Sequence, residues 1–281
     1  MFHSVKMSLD AAMKRSVAEH VGIHTKRAEI LSEDDEGKLW IAGELGSSNP
    51  VQLMQTMFDY NGLHFGLRGG DEHRSLSVSQ FTIKRPEGEL PYIEFAEKIG
   101  KTFKGGLAQR KATPNIKRFY ANVDQPDRCH VQLFTKFLEV RPKNTDVFYL
   151  QPIRKIKQDV WYSSQPIGHN PLRQMLSKMC QRAGVEGHKT NHSLRATLAT
   201  RLHQANVGEQ IAMEMTGHRS VEGIRAYKRT APYQIQEASL HIDIRNNHKT
   251  RTMDIKRPKD SNIHFEFNNC NVTIYNKNTS D

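Results

Sequence analysis

Cysteine is scarce in this chain of 281 residues: Cys129, Cys180 and Cys270 are odd in number and far apart. That excludes a disulfide framework and a paired-cysteine zinc knuckle, and it points to a reducing, intracellular compartment. Fourteen histidines invite a zinc reading, but neither Cys-x-x-Cys nor His-Glu-x-x-His spacing occurs, so no metal and no cofactor is expected. No apolar run is long enough to span a bilayer, and the N-terminus lacks the apolar core of a signal peptide. A soluble protein with no membrane partner is expected. Acidic residues are outnumbered, 30 Asp and Glu against 41 Lys and Arg, for a formal charge of +11. The deficit favours a polyanionic partner, because Lys and Arg release condensed counterions from nucleic acid. Many soluble proteins are basic, so charge gains meaning only beside a motif.

What is present organises as follows. Residues 1–48 read as a polar extension or linker, with a helical patch from Ser8 to Val21 and a Gly/Ser-rich exit at Gly43 to Ser48. A compact unit over residues 49–240 begins at Asn49-Pro50, an N-cap candidate followed by a first-turn proline, ahead of Val51, Leu53, Met54, Met57 and Phe58 on one helical face. Phe81 to Arg85 and Pro91 to Phe95 read as strands about the Pro86-Glu-Gly88 turn, and Lys101 to Gly106 as a second turn leading into Leu107 to Lys111. Residues 141–168 read as a proline-dotted loop. Helical spacing returns at Leu172, Met175, Leu176 and Met179, then at Leu194, Leu198 and Leu202, and in Glu209 to Met215 and Val221 to Arg229. The tail, 241–281, alternates at Phe265, Phe267, Val272 and Ile274, which suggests a strand or short hairpin.

Four reactive side chains stand in order in the last helical cluster: His192, Arg195, His218 and Tyr227, with Arg68 far upstream in Gly66-Leu-Arg68. Each is ordinary alone. His192 and Arg195 could be a solvated helix face, Gly217-His218 a helix C-cap, and Tyr227 a core residue. Together they suit metal-free cleavage of a phosphodiester. Two guanidinium groups clamp the non-bridging oxygens of an anion that gains charge at the transition state, and a tyrosine serves as nucleophile.

The stretch Thr190-Asn-His-Ser-Leu-Arg195, then Thr216-Gly-His-Arg-Ser220, then Ala226-Tyr227 resembles the catalytic core of tyrosine recombinases, the phage-integrase family. Tyr60-Asn-Gly-Leu-His-Phe-Gly-Leu-Arg68-Gly-Gly-Asp71-Glu-His-Arg74 and Phe148-Tyr-Leu-Gln-Pro152 are similar to its Crypton branch. That branch includes DNA transposons and the domain they left in zinc-finger MYM-type and glutamine-rich host proteins. The resemblance implies an α+β class: a mainly helical catalytic domain with a small antiparallel sheet. It implies that Arg68 and Arg195 clamp the phosphate, that Asp71 orients Arg68, and that Lys101, in a hairpin turn, protonates the leaving 5′ oxygen. His192 would assist proton movement, His218 would hydrogen-bond a non-bridging oxygen, and Tyr227 would carry the 3′-phosphate.

Where other members follow the first arginine with an apolar residue, Ser and Glu, this chain has Gly-Gly-Asp71-Glu-His-Arg74, which leaves Arg74 a rival to Arg68. Lys98 and Lys104 compete with Lys101. Residues 1–48 are shorter than the N-terminal domain with which the family clamps DNA. Two readings follow. The first is an enzyme that cleaves and rejoins double-stranded DNA. The second is a domesticated, nuclear, DNA-binding or chromatin-associated module without turnover. Arg110, Lys111, Lys117 and Arg118 are the expected phosphate contacts, and the C-terminal tail is the expected element for a homo-oligomer.

Overall fold

In the computed structural model the described residues are 2–19, 28–97, 115–157, 159–218, 220–242, 263–268 and 271–276. The core is built around one helix. α3 (Pro50–His64) starts as the sequence predicts: Asn49 Oδ1 accepts from the backbone N–H groups of Val51 and Gln52, and Pro50 occupies the first turn. From Leu53 to Leu63 every residue of α3 is buried, polar ones included. A helix covered on all sides is an axle for its neighbours, not a surface helix. α5 (His130–Glu139) packs on one side and α8 (Asn191–Gln204) on another. Gly62 makes the second contact possible, since a Cβ there would stand 2.4 Å from Leu194 Cδ1.

The N-terminal part joins this core earlier than the Asn49 boundary predicts. α1 (Phe2–Ala18) covers most of the expected Ser8–Val21 patch, and α2 (Glu33–Ile41) follows, closed by a capping box between Ser32 and Asp35. Leu31, Leu39 and Leu45 are almost fully buried, so the stretch from Leu31 to Leu45 packs as part of the domain and not as linker.

Strands β1 (Phe81–Lys84), β2 (Tyr92–Ala96) and β3 (Ile116–Tyr120) form an antiparallel sheet in that order, with Phe81 opposite Phe95 and Ile93 opposite Phe119. The first hairpin is where the sequence places it. The third strand, Ile116–Tyr120, was not expected, and the segment 107–111 lies outside the described residues. The 141–168 loop is likewise corrected, because β4 (Leu150–Lys157) and β5 (Val160–Pro166) pair there antiparallel with irregular register. Pro152 and Pro166 mask the strand pattern, yet both lie in a two-stranded sheet whose edges need no further donors. Phe81, Phe95, Phe134, Phe137 and Phe148 stack edge and face between the three-stranded sheet and α5.

The short helix α4 (Gly70–Arg74) lies between α3 and β1, and after β5 come α6 (His169–Arg173), α7 (Met175–Arg182), α8, α9 (Glu209–Thr216), α10 (Val221–Arg225) and α11 (Pro232–Ile242). The tail forms its own hairpin, β6 (Ile263–Asn268) against β7 (Asn271–Asn276), with Phe265 opposite Ile274 and Phe267 opposite Val272. The architecture is the expected α+β one, mainly helical with small antiparallel sheets. Among the described residues no helix is long and apolar enough to cross a membrane.

Candidate active site

α8 begins with Thr190 as N-cap; its backbone N–H donates to the Ser193 hydroxyl at 3.0 Å, and the Ser193 N–H donates to the Thr190 carbonyl at 2.7 Å. His192 and Arg195, three apart, leave the first turn on one face. Arg195 is 2% exposed. Its Nη1 donates to the Gly66 carbonyl at 2.6 Å, while Nη2 has no hydrogen-bond partner among the described residues. A buried, charged donor without an acceptor is costly unless a ligand supplies one. Burial, then the neighbouring Arg68, lowers its pKa to about 10, so it stays charged at neutral pH.

Gly66 lies in the turn Phe65-Gly66-Leu67-Arg68 that leaves the C-terminal end of α3. Two cations hold that turn by consecutive carbonyls: Arg195 on Gly66, and Lys117 Nζ on Phe65 at 2.6 Å. Lys117, an expected phosphate contact, thus already has a backbone carbonyl as its partner. On β3 it points inward while Ile116 and Arg118 point out, and only 4% of its side chain is exposed. Burial, opposed by Glu97 at 3.7 Å, lowers its pKa to about 8. Arg118 is exposed as expected, but its guanidinium already meets Glu94 at 3.1 Å and lies 5.4 Å from the Tyr92 ring.

Arg68 is half exposed at the mouth of the site. Its Nη2 donates to the Gly217 carbonyl at 3.3 Å, 149 residues away in sequence. The carboxylate that meets it is Glu72, which accepts the Arg68 backbone N–H at 2.6 Å and stands 3.7 Å from Nη1. Asp71, the expected orienting acid, meets His169 Nε2 at 3.2 Å. One residue of helical register accounts for the difference, since position i+4 of α4 falls back over Arg68. Arg74, the rival, is exposed at the end of α4.

Gly217 ends α9 in the left-handed conformation, φ 70°, and returns its N–H to Met213. A Cβ at that position would stand 3.1 Å from Lys117 Nζ. The turn aims His218 back to Tyr227, with ring centroids 5.1 Å apart. Tyr227 lies one residue beyond the C-cap of the short helix α10, not within a helix running to Arg229 as predicted. Thr200 of α8 donates to its carbonyl at 3.0 Å, and His192 Nε2 stands 2.8 Å from its hydroxyl. His192 has a lowered pKa, from burial first and then Arg195 and Arg68. His218 is lowered to about 4 by burial and then by Arg195, Arg68, Lys117 and His192. Both imidazoles are neutral at physiological pH, able to accept a proton.

Arg68, His192, Arg195, His218 and Tyr227 therefore come together. Lys101, Lys98 and Lys104, with Arg110 and Lys111, lie outside the described residues. Glu72, Glu97 and Thr216 are the members sequence reasoning did not find, and Lys117 was expected as a surface phosphate contact, not beside this cluster. Among the described residues no group of three or more His, Cys, Asp or Glu could hold a metal ion. Chemically, the cluster gathers three cations, Arg68, Arg195 and Lys117, two carboxylates at its margin, and a tyrosine hydroxyl against a neutral imidazole.

The sequence profile of a family described as a domain of unknown function, DUF3504, matches residues 30–181. Zinc finger MYM-type protein 2 of Mus musculus is 33% identical over 171 residues, covering 53% of this chain and 12% of that protein. Transcriptional regulator QRICH1 of Homo sapiens is 28% identical over 160 residues, covering 51% of this chain and 20% of that protein. The chain thus spans a fifth or less of these two curated relatives. Among solved structures, the XerH site-specific recombinase in a post-cleavage complex with its difH substrate superposes with TM-score 0.53 at 19% identity, over 78% of this chain and 54% of that one. XerA recombinase does so with TM-score 0.50 at 16% identity, over 87% and 78%. At such identity the likeness is one of fold, and the fold is that of the tyrosine-recombinase catalytic domain.

Proposed function

The chain belongs to the DUF3504 family, and from that premise we propose that it cleaves and rejoins double-stranded DNA through a 3′-phosphotyrosine. The observation that carries this reading is the Tyr227 hydroxyl at 2.8 Å from His192 Nε2, beside a buried Arg195 whose Nη2 lacks an acceptor. The Tyr227 oxygen attacks phosphorus and its proton passes to His192, while the bond to the 5′ oxygen breaks. Lys101 is assigned the proton that the leaving 5′ oxygen takes. Arg68 and Arg195 hold the non-bridging oxygens as charge builds, the term that dominates catalysis of this type. The covalent bond to Tyr227 conserves the energy of the one broken, so no metal or nucleotide enters the scheme.

A second reading has support in one observation: a curated relative is itself a transcriptional regulator, QRICH1. On that reading the chain is a domesticated, Crypton-derived nuclear module that binds DNA through Arg110, Lys111 and Arg118 without turnover. One experiment separates the two. Incubated in EDTA with a nicked suicide duplex, the wild type forms a denaturation-resistant adduct and Tyr227→Phe does not. An adduct that persists in Tyr227→Phe would remove the nucleophile assignment. Absence of adduct with DNA affinity that falls steeply with salt supports the module instead.

We also assign the tail hairpin to a homo-oligomer contact in trans, because its alternating apolar residues follow a polar, basic stretch. Deleting residues 261–281 then lowers the mass seen by light scattering to that of a folded monomer. A monomer before and after deletion rejects the contact.

A further inference from the structure

Thr216 is the last residue of α9, fully buried, two positions before His218. Its single hydroxyl oxygen is 2.6 Å from the Ala212 carbonyl and 2.7 Å from His218 Nδ1. A hydroxyl has one proton to give and lone pairs to receive. The Ala212 carbonyl can only accept, so at 2.6 Å the threonine proton must lie on that line; otherwise two oxygens would face each other lone pair to lone pair. This is the back-bond that a helical threonine makes to the carbonyl four residues earlier. The threonine oxygen is then left as an acceptor toward His218, and the only proton that can fill the 2.7 Å contact is one on Nδ1.

We propose that Thr216 is a positioning residue that holds neutral His218 in the Nδ1–H tautomer, so that Nε2 presents a lone pair to the site. The inference rests on the active-site reading above and sharpens it. His218 then enters as an acceptor. It donates to a phosphate oxygen, the role the family resemblance assigns it, only after Nε2 has taken up a proton. The groups facing it are Arg195, Arg68, Lys117 and His192, all of which oppose that uptake until an anion arrives. Phosphate binding and protonation of His218 are thereby coupled. The Tyr227 ring lies 5.1 Å from that of His218 and 5.4 Å from that of His192, whose Nε2 meets the tyrosine hydroxyl.

The test needs no DNA, so it stands apart from whether strands are cut. The full chain is labelled with 15N-histidine and the ring nitrogens are recorded at neutral pH, the His218 signals being identified by their loss in His218→Asn. The expected spectrum has a protonated Nδ1 and a bare Nε2 for His218, retained in Thr216→Ser, which keeps the hydroxyl. In Thr216→Val the Nδ1–H state is lost as the dominant form. A wild-type His218 protonated on Nε2 overturns the proposal by itself, whether or not the valine variant folds. So does a folded Thr216→Val that keeps the Nδ1–H tautomer.

Discussion

Arg195→Ala is expected to slow formation of the DNA adduct by a factor of about 10² to 10³, while DNA affinity changes little. Removing one preorganised donor from a site that stabilises developing charge costs this much. Here the loss is compounded by geometry, since Arg195 does two things with two nitrogens. Nη1 holds the Gly66 carbonyl in the turn that leads to Arg68, and Nη2 is the donor left open. Affinity is spread over many surface cations, whereas only the transition state draws on the full charge of this one. Arg195→Lys separates the two roles: it keeps a charge but has no second arm, so it should recover only part of the rate. The measurement is the initial rate of adduct formation on the suicide duplex. A rate for Arg195→Ala within a few-fold of wild type would remove Arg195 from the machinery.

The second large effect is on stability. Stability should peak near pH 6.5 and fall on acidification by about 1.4–2.7 kcal/mol per pH unit. His73 and His130 are fully buried, and burial lowers both to about 3. His64, whose Nδ1 stands 2.9 Å from that of His130, is lowered as well. Unfolded, each returns to about 6.5. A depressed imidazole contributes stability fully above that value and loses it as pH falls toward the folded pKa. Asp59 works the other way: burial raises it to about 8, so its contribution is present at low pH and lost as pH rises. Between about pH 6.5 and 4 the lowered imidazoles, His192 and His218 among them, outnumber the raised carboxyls Asp59 and Glu36, and unfolding takes up at least one to two protons net. Two pH units then remove a sizeable part of an ordinary domain's stability. Urea denaturation at pH 7, 6 and 5 reads this directly. His73→Phe, which keeps the stack on Phe58, should reduce the slope by about one proton. A flat profile, or an unreduced slope in that variant, contradicts it.

The sequence made the cluster legible where fixed residue types stand at fixed spacing. His192, Arg195, His218 and Tyr227 could be read because one helix start and two turns bring them together over short distances. Arg68 was legible through its Gly-Leu neighbours, and α3 through Asn49-Pro50. What failed did so for local reasons. Lys117 inverts the usual strand alternation, with the aliphatic Ile116 outside and the lysine inside. No pattern of polarity signals that, because its partner is a backbone carbonyl 52 residues upstream. Glu72 and Asp71 differ by one helical step, which only coordinates resolve. The 150–166 hairpin was hidden by its prolines, and Thr216 by the fact that a buried hydroxyl reads as any small residue.

The span of the contacts that hold the site has a consequence for how the protein is made. Arg195 reaches Gly66 across 129 residues and Arg68 reaches Gly217 across 149. Contacts of such separation form only after long loops close, and high contact order slows folding. A nascent chain that has emerged only as far as residue 181, the end of the DUF3504 match, therefore has the core helix and the first arginine but neither Arg195 nor Gly217 to latch it. The cluster is therefore completed late in synthesis, when the helices that carry Arg195 and Gly217 dock, and not when the domain first becomes compact.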